Sequence, residues 1–243
     1  MSRYFEELDY QITPLGALSL RRRRDIASGE DIYEIKLNDE FLMSSKFTAS
    51  EKALATLALR ALSGEGYKVA VGGLGLGYTA AAALDDPGVR TLIVIDALKP
   101  VIEWHEAGLL PLGKQLAADK RCRFVHGDFF AMARSPETGF DPLNPASRFD
   151  AILLDIDHSP RHVLKSENAV LYTFQGLKKL SEHLLPGGVF ALWSNEPEDP
   201  AFTEVLTAAF GKARAEPVVF YNPIQDREAR QAVYLAWKAQ TSS

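Results

Sequence analysis

The chain of 243 residues has one cysteine, Cys122, and only five histidines. A lone cysteine excludes an intrachain disulfide, and the scattered histidines show no zinc-ligand spacing, so no structural metal is expected. No run of apolar residues approaches membrane-spanning length without charges, and the first residues carry no signal pattern. The expectation is a cytoplasmic protein with no membrane partner. Positive charge is also in short supply. Lys and Arg number 27 against 32 Asp and Glu, a formal net charge of −5, which gives no general attraction to phosphate backbones, so nucleic acid is not an expected partner. The run Arg21-Arg22-Arg23-Arg24 stands against this balance; it reads either as a local anion-binding patch or as a solvated strand whose stems cover apolar surface.

What is present is ordinary globular material: 47% hydrophobic and 24% charged residues, outside the regime of disorder. Residues 1–47 read as a small N-terminal antiparallel β domain. Ala17 to Arg24, Asp31 to Leu37 and Glu40 to Met43 are strand-like, separated by the turn compositions Ser28-Gly29-Glu30 and Asn38-Asp39. From Thr48 an amphipathic helix runs to a stop at Ser63-Gly64-Glu65-Gly66.

Residues 48–243 then alternate strand and helix. The expected strands are Val69 to Gly72, Thr91 to Ile95, Arg123 to His126, Ala151 to Leu154 and Val189 to Trp193. The expected helices are Tyr78 to Leu84, Pro100 to Gly108 and Ala169 to Leu184, the last followed by a turn at Pro186-Gly187-Gly188. Ser135 to Ser147 reads as a surface insertion. Continuous apolar strands with intervening helices predict an α/β fold, a Rossmann-like, doubly wound, mostly parallel sheet covered on both faces. Ligands of such sheets bind beyond the carboxyl ends of the strands.

The chemistry-bearing residues fall there. Gly72, Gly73, Gly75 and Gly77 lie between a strand and a helix, where glycine lets the backbone turn tightly and approach a ligand; packing is the alternative use of such a loop. Asp96, with Ala97 beside it, ends the next strand at the spacing that suits ribose hydroxyls, or else caps a helix. Asp128 could accept from an adenine amino group with Phe129 or Phe130 near the base, or could stabilise a turn. Asp155 and Asp157 follow the fourth strand in Leu154-Asp155-Ile156-Asp157-His158-Ser159-Pro160. Carboxylates there could hold a substrate amine or accept its proton; otherwise Asp155 caps the loop and binds the tail of the nucleoside. His158 reads as a polar loop residue.

In order and spacing these residues resemble the spermidine synthase (polyamine aminopropyltransferase) family, which is built on the class I methyltransferase fold. The resemblance implies a nucleoside site at the glycine loop, Asp96 as the ribose ligand, Gly127-Asp128 at the adenine, and Asp155 as the catalytic aspartate. The implied co-substrate is decarboxylated S-adenosylmethionine or S-adenosylmethionine, without a metal; the implied partner is a small-molecule amine or other nucleophilic acceptor, and a homodimer is implied as well. The chain departs from the family at four places. Leu74 stands in the glycine loop where the family has aspartate. Ala49-Ser50-Glu51 replaces Tyr-Gln-Glu. The loop usually written Asp-Ser-Ser-Asp-Pro is lengthened, with its second aspartate shifted. Tyr221-Asn222-Pro223-Ile224 lacks a later tyrosine. These departures keep open a methyltransferase using the intact donor and a non-catalytic nucleoside-binding homologue; an NAD-binding reading of the loop ranks last.

Overall fold

Two sheets divide the chain. The computed structural model describes residues 4–26, 28–38, 40–222 and 226–240; part of the Asn38-Asp39 turn and Pro223-Ile224 lie outside the described residues. The first sheet is an antiparallel meander of β1 (Phe5–Thr13), β2 (Gly16–Arg24), β3 (Asp31–Leu37) and β4 (Glu40–Ser44). The second has seven strands in the order β10-β11-β9-β8-β5-β6-β7. It comprises β5 (Tyr67–Gly72), β6 (Val89–Asp96), β7 (Cys122–His126), β8 (Phe149–Leu154), β9 (Leu184–Ser194), β10 (Gly211–Asn222) and β11 (Arg227–Lys238). Pairs from β7 through β9 are parallel, and β11 runs antiparallel to both β9 and β10.

The two-residue period of each central strand sorts its side chains onto opposite faces. Val69, Val71, Leu92, Val94, Ala151 and Leu153 face one core, while Ala70, Ile93, Ile95, Ile152 and Leu154 face the other. The first face is covered by α1 (Ala49–Arg60), α2 (Tyr78–Leu84), α3 (Lys99–Glu106) and α4 (Gly113–Ala118), and by Leu18, Leu20 and Ile35 of the meander. Apolar residues at both faces explain why these strands read as unbroken hydrophobic runs. The second face is covered by α5 (Phe129–Ala133), a 3-10 segment (Ser166–Tyr172), α6 (Phe174–Ser181) and α7 (Pro200–Phe210). The meander thus shares a core with the large sheet. The indole of Trp104 in α3 also donates to Asp9 of β1 at 2.6 Å. Among the described residues no helix is long and apolar enough to cross a membrane.

The arginine run lies on β2, and each member faces a carboxylate of β1 or β3: Arg21–Glu7, Arg22–Glu6, Arg23–Glu34 and Arg24–Asp31, at 2.6–3.5 Å. This is a strand surface matched in charge, and the anion-patch reading is set aside. Three expectations of local structure change. The helix expected over Ala169 to Leu184 is split, because the Thr173 hydroxyl accepts from Gly176 N–H and begins α6 afresh. Pro186-Gly187-Gly188 falls within β9, where the register with β8 jumps between Phe149 and Ala151. Ser135 to Ser147 is irregular but partly internal: Phe140 is buried and stacks on Phe129 at 4.7 Å, and Asp141 pairs with Arg123.

Candidate functional site

Strand β5 is flanked by β6 on one side and β8 on the other, so successive crossovers leave in opposite directions and a crevice opens at its carboxyl end. A cavity of about 580 Å³ fills that crevice. The strand order distributes its lining along one line: Gln231 on β11, Trp193 and Asn195 at the end of β9, Asp155 after β8, Gly73 to Gly75 after β5, Asp96 to Leu98 after β6, and Asp128 after β7. The meander roofs it with Leu37, Phe41 and Met43.

The glycine loop is held from three sides. Gly73, Gly75 and Gly77 have φ of 95°, 45° and 90°, the region that side chains rarely enter. Asp96 accepts from Leu74 N–H at 2.9 Å through Oδ2 and from Leu98 N–H at 2.8 Å through Oδ1. Burial raises the Asp96 carboxyl above its usual range, opposed by these backbone donors. Beneath the loop, His105 is fully buried and bonds Gly75 O through Nε2 at 2.9 Å, while its Nδ1 has no partner. Burial lowers this imidazole to about 4, so it is neutral. Above, the Met43 sulfur accepts from Leu76 N–H at 3.0 Å.

Asp128 caps α5, with Oδ1 accepting from Phe130 N–H at 2.9 Å and Ala131 N–H at 3.1 Å. Its carboxylate also borders the cavity, with Phe129 and Phe130 beside it. The turn-stabilising role is therefore realised, and it fixes the carboxylate at the cavity wall. Gly72 is packed against Phe129, whose ring leaves no room for a Cβ there. Ala97 lies at the cavity edge, exposed.

Asp155 sits at the centre. Its N–H donates to Gly72 O at 2.9 Å, which stitches the β8 end to the glycine loop, and its Oδ2 accepts from the Thr79 hydroxyl at 2.6 Å. Asp157 does not join it. That carboxylate is buried in its own loop, accepting from Leu164 N–H at 2.7 Å, Asn168 Nδ2 at 2.9 Å and Tyr172 OH at 2.7 Å. It fixes the loop that presents Asp155 and does not line the cavity. His158 borders the cavity and faces Glu40 at 3.3 Å.

The carboxylate that accompanies Asp155 is Glu51, which sequence reasoning did not place in the site. Glu51 lies on the inward stripe of α1 with Leu54, Ala55 and Ala58, buried, and accepts from Ser50 Oγ at 2.8 Å. An acidic residue on the apolar stripe of a helix was the available signal. Burial pushes Asp155 up to about 6; burial and then the Asp155 charge push Glu51 up to about 7. Two such groups side by side, with a hydroxyl donor on each, form a pocket for one cation or for a shared proton.

The shift has a sign in stability. Glu51 in the folded chain keeps its proton to higher pH than in the unfolded chain, so the folded state binds more protons between about 4.5 and about 7 and loses stability as pH rises through that window. Glu51→Gln is expected to be neutral near the lower limit and to stabilise at pH 8 by up to roughly 3 kcal/mol, a Tm rise of several degrees. Thermal melts at both pH values measure it; an equal shift at each would contradict the buried charge.

Neither a family model nor a curated protein matches this chain. Solved structures do. A spermidine synthase in complex with the transition-state analogue AdoDATO aligns with TM-score 0.71 and 17% identity, over 96% of this chain and 74% of that one. A spermidine synthase from Thermotoga maritima aligns with TM-score 0.71 and 17% identity, over 96% of this chain and 73% of that one. The order of the seven strands and the antiparallel sheet that precedes them thus form one architecture, and this chain has the spermidine synthase fold, a class I methyltransferase-type sheet roofed by an N-terminal meander.

Proposed function

We propose that the chain is a transferase that takes an aminopropyl group from decarboxylated S-adenosylmethionine and places it on an amine. The observation that carries this reading is the buried pair Asp155 and Glu51 at the middle of the cavity, between the glycine loop and the β9–β11 end. On the β6–β7 side, Asp96 and Asp128 border a space walled by Leu74, Ile95, Leu98, Val101 and Phe129, apolar surface for a base with acceptors for ribose and amino groups. A donor tail extending from there towards β8 meets two carboxylates, and among the described residues Lys165 is the one lysine or arginine lining the cavity. An ammonium tail is attracted and a carboxylate tail repelled, which favours the decarboxylated donor.

The donor supplies a carbon activated by a sulfonium leaving group; the chain supplies position and a proton acceptor. Thr79 holds Asp155 at Oδ2, and Glu51 beside it completes a negative site that orients an incoming amine. Asp155 takes the proton that the amine nitrogen releases as it bonds to carbon. Its upward shift brings it closer to the acceptor strength this needs at neutral pH. Leu74, where the resemblance leads one to expect an aspartate, favours the second reading, methyl transfer from the intact donor, because it leaves that part of the loop uncharged.

Isothermal titration with decarboxylated S-adenosylmethionine, S-adenosylmethionine and NAD separates these. The decarboxylated donor is expected to bind at least tenfold more tightly than the intact one, the equivalent of about 1.4 kcal/mol, and Asp96→Ala to weaken both. Preference for the intact donor moves the reading to methylation, and tighter NAD binding removes it.

A further inference from the structure

The acceptor end of the cavity has a composition of its own. Beyond Asp155, towards β9 and β11, the lining residues include Phe47, Trp193, Phe220, Asn195 and Gln231, and among the described residues of this end none is acidic. The rings of Phe47 and Phe220 lie 6.1 Å apart. Gln231 Nε2 donates to Asn195 Oδ1 at 2.6 Å and Gln231 Oε1 accepts from the Trp193 indole at 3.4 Å, so the two amides are aligned by each other and by the ring. That leaves the Asn195 amide nitrogen to donate to a ligand.

Carboxylates do occur outside this end, and four of them have an imidazole or guanidinium partner. Glu40 faces His158 at 3.3 Å, Glu196 faces His162 at 3.2 Å, Glu198 is forked by Arg230 at 2.7 and 2.9 Å, and Asp199 pairs with Arg161. Lys165 adds a positive charge at the rim. A linear diamine or polyamine brings a second ammonium some distance from its reacting nitrogen; in this compartment that charge meets aromatic rings and neutral amides, with no lining carboxylate to compensate its desolvation.

We propose that the acceptor is an arylalkylamine, an amine on a short chain carried by an uncharged aromatic ring. Its nitrogen lies at Asp155 and Glu51, its ring among Phe47, Trp193 and Phe220, and a ring oxygen substituent, where present, at Asn195. This rests on the transferase reading above. In the reaction the amine nitrogen forms a bond to the carbon next to the sulfonium, the carbon–sulfur bond breaks with its electron pair going to sulfur, and the surplus proton passes from nitrogen to Asp155. The products are an N-alkylated arylalkylamine and a neutral thioether nucleoside.

The test uses the full chain saturated with methylthioadenosine, the thioether product, whose binding is measured first. Titration with 2-phenylethylamine, tyramine, 1,4-diaminobutane and spermidine follows. The aromatic amines are expected to bind at least tenfold more tightly than the aliphatic ones. Trp193→Ala is expected to weaken tyramine by about five- to tenfold while leaving methylthioadenosine within twofold, and Gln231→Glu to shift preference towards 1,4-diaminobutane. With methylthioadenosine bound, equal or tighter binding of the aliphatic amines, or no amine binding, overturns the proposal and leaves the donor reading standing. Failure of methylthioadenosine itself to bind removes the transferase reading and this inference with it.

Discussion

Asp155→Asn is expected to lower turnover by about 10²- to 10⁴-fold, the range for loss of a positioned proton acceptor, while methylthioadenosine binds within twofold of the wild type. The separation follows from where Asp155 is held. Its backbone N–H, not its side chain, ties the β8 end to Gly72 O, and an asparagine oxygen can still accept from Thr79. Glycine loop, Asp96 and Asp128 are untouched, so the nucleoside half of the cavity should persist. What asparagine cannot do is accept the proton.

The pH profile provides a second readout. A carboxylate must be ionised to act, and burial has raised Asp155 to about 6 with Glu51 at about 7 beside it. Wild-type turnover should therefore fall on the acid side through this range, two units or more above an ordinary aspartate. The residual rate of Asp155→Asn should lack the Asp155 limb. A variant that keeps more than a third of wild-type turnover would remove Asp155 as the proton acceptor, and an unshifted acid limb near 4 would place the acting carboxylate in solvent.

The parts of this site that were legible in the sequence were those set by strand ends. A strand buried on both faces is a short apolar run, and the residue after it stands at the sheet's carboxyl edge whatever the neighbours do; Gly72, Asp96, Asp128 and Asp155 were located that way. Asp157 shows the limit. Two residues from Asp155 and chemically identical, it turns into the loop because Leu164 N–H, Asn168 and Tyr172 converge on it, and those partners are 7 to 15 positions away in sequence. Glu51 shows the converse: its neighbour Asp155 is remote in sequence, and it was marked by its place on the buried stripe of a helix and as the glutamate kept where Ala49-Ser50-Glu51 replaces Tyr-Gln-Glu.

The fold divides along the same line. Strand β1 alternates charged, aromatic and aliphatic residues on a partly exposed edge, so its pattern is weak. The strands β10 and β11 pair only with each other and with β9, and β10 contributes no fully buried residue. Their place beside the acceptor compartment came from topology, and with it came Gln231 and Phe220. Residues on the β5–β7 side of the cavity follow apolar strands that the sequence shows one by one; those on the β9–β11 side are brought there by the strand order.

Gly73→Ala is expected to cost at least about 2 kcal/mol of stability and to abolish nucleoside binding. Two separate effects meet at this position. Its φ of 95° is a region that alanine enters only with strain. A Cβ built there would also overlap the carbonyl oxygen of Asp155, a residue whose own N–H is tied to Gly72 O. Gly66 supplies the control, since its φ is 78° but no atom lies within 4 Å of where a Cβ would stand. Gly66→Ala therefore measures strain alone, and the excess loss in Gly73→Ala measures the close approach of the glycine loop to the Asp155 backbone. Denaturant melts of the two variants give that difference. If they lose equal stability, the loop can relax away from Asp155 and the fixed spacing between nucleoside and proton acceptor is not built into the fold. If Gly73→Ala loses more, and methylthioadenosine binding disappears with it while surviving in Gly66→Ala, the contact that shapes the crevice is also the one that sets where a donor carbon sits relative to the carboxylate.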